Sequence, residues 1–266
     1  QELTDILHSL PSYKHRIIYY GPKSMEVAAA EVKKLHAIPA SFKEAPAAIK
    51  FEKNSQSQNQ VLFADYDMVQ SEVNWVRNNG VYNPDNTATI GLFNAYFGGG
   101  MGSIVFQTIR ESKALAYSTY AQYASPAKKG ERYSTVAYVG CQADKMNEAI
   151  AGMNELLNTI PEADQLLETA KQGMRQDIET ERITQDGVIF SYLAAQKLGL
   201  NNDIRKQVYD NINKLSFADV KKFHDENLAN KPYTYCILAS EKKISNDDLK
   251  KIGSVKKLSL EELFGY

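Results

Sequence analysis

The stretch that decides the fold runs Asn94-Ala95-Tyr96-Phe97-Gly98-Gly99-Gly100-Met101-Gly102-Ser103 and continues Phe106-Gln107-Thr108-Ile109-Arg110-Glu111-Ser112-Lys113-Ala114-Leu115-Ala116-Tyr117-Ser118. Three consecutive glycines let the backbone take positive φ and come close to another chain or a ligand. Helix formers lie on both sides, and the second helical stretch passes into a strand at Tyr117. A phosphate-binding loop would need G-x-x-x-x-G-K-[ST] directly after a strand. Here no Lys-Ser or Lys-Thr follows the glycines, and the segment before them reads as helix, so nucleotide binding is set aside. The bland alternative is a flexible loop with Arg110 solvated and Tyr117 in the core.

Outward from this window the elements alternate. Val61-Leu62-Phe63 begins a strand, and Val69, Ser71, Val73, Trp75 and Arg77 alternate with their neighbours as a half-buried strand does. A helix is expected from Ala88 to Phe97, another around Ile104 to Ser112, and strands near Tyr117–Tyr123 and Tyr133–Cys141. Asp144 reads as the N-cap of a helix with the stripe Met146, Ile150, Met153, Leu157 and Ile160. Pro161 suits the first turn of the next helix, which runs past Arg182. A further helix covers Val188 to Leu198. Ser216 and Asp219 form a capping box opening a helix through Leu228, before a strand Tyr233–Leu238 and a short helix near Asp248.

The opening residues read helix–strand–helix: Leu3, Ile6, Leu7 and Leu10 at helical spacing, the apolar run Ile17–Tyr20 ending at Gly21-Pro22, then Met25 to Val32. The end of the chain repeats that order. We therefore expect residues 1–45 to be the tail of a preceding homologous α/β domain, 46–59 an exposed polar linker, and 60–266 a complete second domain. Gln1, in place of Met, is consistent with a processed product or a piece of a longer chain.

A net charge of −1 over 266 residues gives nucleic acid or an anionic membrane nothing to be drawn to, and the basic pairs are scattered. No apolar run approaches the ~20 residues that span a bilayer. The expectation is a soluble protein, cytoplasmic or exported, with neither nucleic acid nor membrane as partner. Cys141 and Cys236 each sit in a strand-like run; two buried free thiols are expected, with one disulfide as the alternative. The histidines are His8, His15, His36 and His224, none with a histidine at i+4 and none in an H-E-x-x-H or H-x-x-E-H pattern. His224-Asp225-Glu226-Asn227 comes nearest but lacks a second histidine. No zinc site is expected in this chain, and there is no G-x-S-x-G elbow.

The glycine loop followed by Arg110-Glu111-Ser112-Lys113-Ala114-Leu115-Ala116-Tyr117 resembles the pitrilysin/insulysin family of zinc peptidases, where such a loop leads into a helix ending R-E-x-x-x-L-A/G-Y. The resemblance extends over most of the chain. Gly102 and Ile104 depart from the serine and arginine that many relatives carry. The resemblance implies an α+β fold, a mainly antiparallel sheet packed with helices on one side. It implies the C-terminal, non-zinc-binding part of a metalloendopeptidase, with zinc held by an N-terminal peptidase half through H-x-x-E-H. That half and a peptide substrate are the implied partners. Arg110 and Tyr117 are the implied catalytic contacts, donating hydrogen bonds to the scissile carbonyl and its oxyanion. Gly98, Gly99 and Gly100 are the implied substrate-binding backbone, and an exposed sheet edge could take an extended peptide by β-augmentation. The alternative is a non-proteolytic scaffold or binding subunit on the same fold.

Overall fold

Short apolar helices, period-2 strands and glycine turns fold here as two compact units in a computed structural model that describes residues 1–49, 51 and 53–265. Lys50 and Glu52 of the expected linker, and Tyr266 at the end of the expected second domain, lie outside the described residues. One unit comprises Gln1–Glu52 with Arg182–Gln196, the other Lys53–Glu181 with Lys197–Tyr266.

In the first unit α1 (Glu2–Ser9) runs into a 3-10 turn at Leu10–Ser12, and α2 (Met25–Leu35) starts where Ser24 Oγ accepts from the Val27 amide. The strand expected at Ile17–Tyr20 does not form. Strands exist in pairs, and the pairing near this run is one parallel bridge between Tyr13 and Lys43. Ile17, Tyr19 and Tyr20 stay exposed, and Ala28 is the one buried apolar residue among the described residues of this unit.

The second unit is built on six strands: β1 (Gln60–Asp65), β2 (Gln70–Val81), β3 (Ser118–Ala124), β4 (Arg132–Gln142), β5 (Thr234–Ala239) and β6 (Ser254–Leu258). Their order is β3-β4-β2-β5-β1-β6. β3, β4, β2 and β5 are successively antiparallel, while β1 runs parallel to β5 on one side and β6 on the other. Alternation puts Val61, Phe63, Val73, Trp75, Ala121, Tyr123, Ala137, Val139 and Ile237 on the buried face. Tyr120 and Gln122 lie on the exposed one.

On the buried face α3 (Thr87–Phe97) lies over β3 and packs on α8 (Phe217–Asn227), α4 (Met146–Asn158) lies over β4, and α9 (Asn246–Ile252) lies beside β1 and β6. Behind them α5 (Asp164–Thr180) and α7 (Ile204–Ile212) pack on α3, and α10 (Leu260–Phe264) ends the chain's helices. The remaining helix, α6 (Asp186–Leu198), belongs to the first unit as far as Gln196. Phe93 of α3 stacks on Phe97 and tilts against Phe223 of α8, both at 5.0 Å between centroids, and Tyr123 of β3 meets Phe223 edge-on at 4.9 Å. Such pairs add to the area they bury. The expected α+β class, with a mainly antiparallel sheet helix-covered on one side, is the observed one.

Local details differ from the sequence reading. Asp144 is no N-cap; it lies inside a 3-10 turn, Ala143–Lys145, which leads into α4 without a side-chain cap. Pro161 precedes α5, which begins at Asp164 and ends at Thr180, short of Arg182. The carbonyl of Pro161 accepts from the Tyr96 hydroxyl at 2.7 Å, and that hydroxyl accepts from the Ala163 amide at 2.9 Å, which holds the turn extended. The capping box at Ser216 and Asp219 is present. Cys141 and Cys236 are free thiols, so the disulfide alternative is not realised, and burial pushes Cys141 up to about 11.

Candidate functional site

Phe97 is fully buried and ends α3; the amides of Gly98 and Gly99 both donate to the Asn94 carbonyl, at 3.1 and 2.7 Å. Gly98 then lies flat against the outer side of β3. A Cβ there would stand 2.1 Å from the Ala121 carbonyl oxygen, and at Gly99 it would stand 2.8 Å from the Asn94 oxygen. Gly100 is different: φ is +139°, and a Cβ would meet nothing within 4 Å. Only glycine relaxes at that φ. The buried Ser103 closes the loop, its amide and hydroxyl both donating to the Gly100 carbonyl at 3.0 and 2.7 Å. Gln107 Nε2 donates to the Met101 carbonyl at 2.6 Å.

The following turn, Phe106–Ser112, is a π-helix. Wide turns of this kind recur at functional sites. Its one buried side chain, Ile109, anchors it to the core, and Leu115, whose amide donates to the Ile109 carbonyl at 2.9 Å, anchors its exit. Arg110 projects outward with its guanidinium 4.9 Å from the Phe106 ring centre and Nε 3.8 Å from Glu111. An exposed pair at that distance is worth little, so most of the five donors remain open. Tyr117 is 54% exposed at the entrance to β3, with its amide donating to the Gly140 carbonyl at 2.9 Å. Its hydroxyl accepts from Gln142 Nε2 at 2.8 Å, which turns the phenolic proton elsewhere. Arg110 and Tyr117 are thus presented from two adjoining rigid elements, with no hydrogen bond between them among the described residues.

Two contributors went unassigned in the sequence. Asn94 clamps the edge of β3: Oδ1 accepts from the Tyr123 amide at 2.8 Å and Nδ2 donates to the Tyr123 carbonyl at 3.1 Å. Together with the Ala121 amide donating to the Gly98 carbonyl at 3.3 Å, this takes up the Tyr123 amide and carbonyl and the Ala121 amide, which a peptide would use at that stretch of edge. Gln142 orients Tyr117. Its signal is the β3–β4 register, which pairs Ser118 with Gly140 and leaves Gln142 beside Tyr117.

Among the described residues no group of three or more His, Cys, Asp or Glu side chains could hold a metal ion. The donor set does not fit zinc. His15 and His36 meet at 2.6 Å between Nε2 atoms but bring no carboxylate. The fully buried His224 is bonded through Nε2 to the Leu156 carbonyl at 2.9 Å, a structural role. Among the described residues no helix is long and apolar enough to cross a membrane.

The fold resembles solved structures of low sequence identity. A peptidase M16 inactive domain from Pseudomonas fluorescens is 16% identical with a TM-score of 0.62, over 89% of this chain and 53% of that one. A protease from Helicobacter pylori is 12% identical with a TM-score of 0.63, over 82% and 53%. The periplasmic protease PqqL from Escherichia coli is 13% identical with a TM-score of 0.61, over 83% and 25%. The chain therefore spans about half the length of the first two and a quarter of the third. A comparison with curated proteins finds no match. The profile described as peptidase M16 inactive domain matches residues 23–174, more than half of the 266 residues, and the chain belongs to that family of domains related to zinc proteases.

Proposed function

We propose that this chain is the C-terminal, non-zinc-binding part of a zinc metalloendopeptidase, contributing substrate binding and transition-state stabilisation to proteolysis. The observation that carries the reading is the pair Arg110 and Tyr117. Both are exposed donors on fixed backbone, one on a π-helix anchored through Ile109 and one just before β3, where the Tyr117 amide is bonded to Gly140 and its hydroxyl to Gln142. Donors held still in advance stabilise a developing oxyanion without reorganisation when it forms. The partner is a zinc-bearing N-terminal half, in the same chain or another, and the substrate is a peptide. Residues 1–45 are then the tail of the domain that precedes 60–266. Gly100 is the loop position with open space for substrate backbone, while Gly98 and Gly99 set the loop's path.

One observation favours the second reading, a non-proteolytic scaffold or binding subunit. Gly98 and Gly99 use their small size against the protein's own backbone, as a purely structural turn would.

The test uses cleavage of a quenched peptide by the full-length protein. Arg110→Ala and Tyr117→Phe should each lower kcat, on the order of 10²–10³-fold for a lost oxyanion donor, with a smaller change in KM. Unchanged kcat in both variants refutes the role. The chain alone should give no zinc-dependent turnover.

A further inference from the structure

A cleft of about 420 Å³ opens beside the C-terminal half of α4, with Asn59, Asn154, Lys231, Tyr233 and Tyr235 in its wall. The orientation of Asn154 and Asn59 is decided by an indole N–H and a backbone amide, groups that can only donate. The indole Nε1 of the fully buried Trp75 donates to Asn154 Oδ1 at 2.8 Å, and the Tyr235 hydroxyl donates to the same oxygen at 3.2 Å. The Tyr233 amide donates to Asn59 Oδ1 at 2.9 Å. With both oxygens engaged by the protein, both Nδ2 groups are left without an acceptor among the described residues, in side chains that line the cleft. Lys231 lines the same wall, and its ammonium has no anionic partner among the described residues. The wall therefore presents two open amide donors and one cation, beside Asn158, whose Oδ1 accepts from the Asn230 amide; the Asn154 end is tied to the core through Trp75. A second cleft of about 360 Å³ shares Asn59, Asn154 and Tyr235. Its Asp248 is bound by Lys251 and Asn147.

We infer that this cleft is a binding site for a carboxylate carried by a peptide, with the carboxylate at Lys231 and the adjoining peptide carbonyl on Asn154 Nδ2. Charge-assisted bonds from a fixed amide and an ammonium favour a carboxylate over a neutral acceptor. The donors are pre-oriented, so little ordering is needed when the ligand enters. The site is separate from Arg110 and Tyr117 and stands whether or not these act in catalysis.

Trp75 is the single tryptophan and reports on Asn154 directly. Its emission, and heat by calorimetry, should be followed while the chain is titrated with three acetylated hexapeptides. One ends in a free carboxylate, one is amidated, and one is amidated with an internal glutamate; acetate alone is the fourth arm. Saturable binding of the first with at least tenfold weaker binding of the amidated peptide identifies a C-terminal carboxylate. Recovery by the glutamate peptide identifies an acidic side chain. Asn154→Asp keeps an oxygen for Trp75 and Tyr235 but replaces the open donor with an acceptor, and should weaken binding at least tenfold. Lys231→Gln should weaken it about fivefold, and it decides the question if Asn154→Asp does not fold. Binding absent by both readouts, equal for amidated and free peptides, or unchanged in Lys231→Gln and Asn154→Asp overturns the site.

Discussion

In β3, at one margin of the sheet, the outward amide and carbonyl of Tyr123 are bonded to Asn94 and the Ala121 amide to Gly98. At the other margin β6 carries Lys256 and Lys257, paired at 2.8 and 2.6 Å with Glu262 and Glu241. One edge is closed by covalently nearby backbone and an amide that imitates a neighbouring strand. The other is guarded by charge, which discourages pairing with another chain without occupying the hydrogen bonds. The difference is one of energy as well as means. The first closure is packed and buried, so its loss is felt in folding; the second is solvated, so its loss is felt in association.

The strongest way to break this comparison is Gly98→Ala. The added methyl would stand 2.1 Å from the Ala121 carbonyl oxygen, and backbone must move. Destabilisation of about 3 kcal/mol or more is expected from urea unfolding, the upper range for overpacking. A loss below about 1 kcal/mol would mean the edge is loosely closed. Alkaline pH probes the same edge, because burial pushes the Tyr123 phenol up to about 12. Below pH ~10 both folded and unfolded states keep the proton. Between pH ~10 and ~12 the unfolded state alone ionises, so stability is lost as pH rises through that window, by up to about 3 kcal/mol. Tyr123→Phe should flatten that part of the pH–stability curve; an unchanged slope contradicts it.

Asn94→Ala removes both bonds to Tyr123 and should cost about 2 kcal/mol while speeding amide exchange at Tyr123. Exchange at the wild-type rate would show that the clamp contributes nothing. The smallest effect belongs to the other margin. Lys256→Ala with Lys257→Ala should change stability by less than about 0.5 kcal/mol, since both pairs are exposed. Concentration-dependent light scattering should nevertheless rise, and a flat response would remove the charge-guard interpretation.

How much of this was visible in the residues follows the range of the interactions. β2 is legible because Val73 and Trp75 alternate with polar neighbours, and the capping box at Ser216 is legible because both partners lie within one turn. β6 is not: Ser-Val-Lys-Lys-Leu has no apolar alternation and becomes a strand because β1 lies beside it. Ile17–Tyr20 shows the converse, four apolar residues of strand character with no ladder to join. Arg110 and Tyr117 stand out by spacing and type, but the π-helical turn that presents Arg110 depends on how Ile109 and Leu115 seat in the core. Asn94 was in plain view without a role, since its clamp exists only once the last turn of α3 lies against β3.

The position of β1 has a consequence in time. Its neighbours on both sides, β5 and β6, come from the last part of the chain, and Gln60 pairs across to Thr234, 174 residues further on. During synthesis at roughly 5–20 residues per second, β1 waits about 10 to 35 s before either partner exists. Until then Val61 and Phe63 have no completed sheet to enter. Closing so long a loop makes this a slow-folding topology, and it makes nascent chains that stop short of Thr234 clients for whatever holds unfolded protein in the cell.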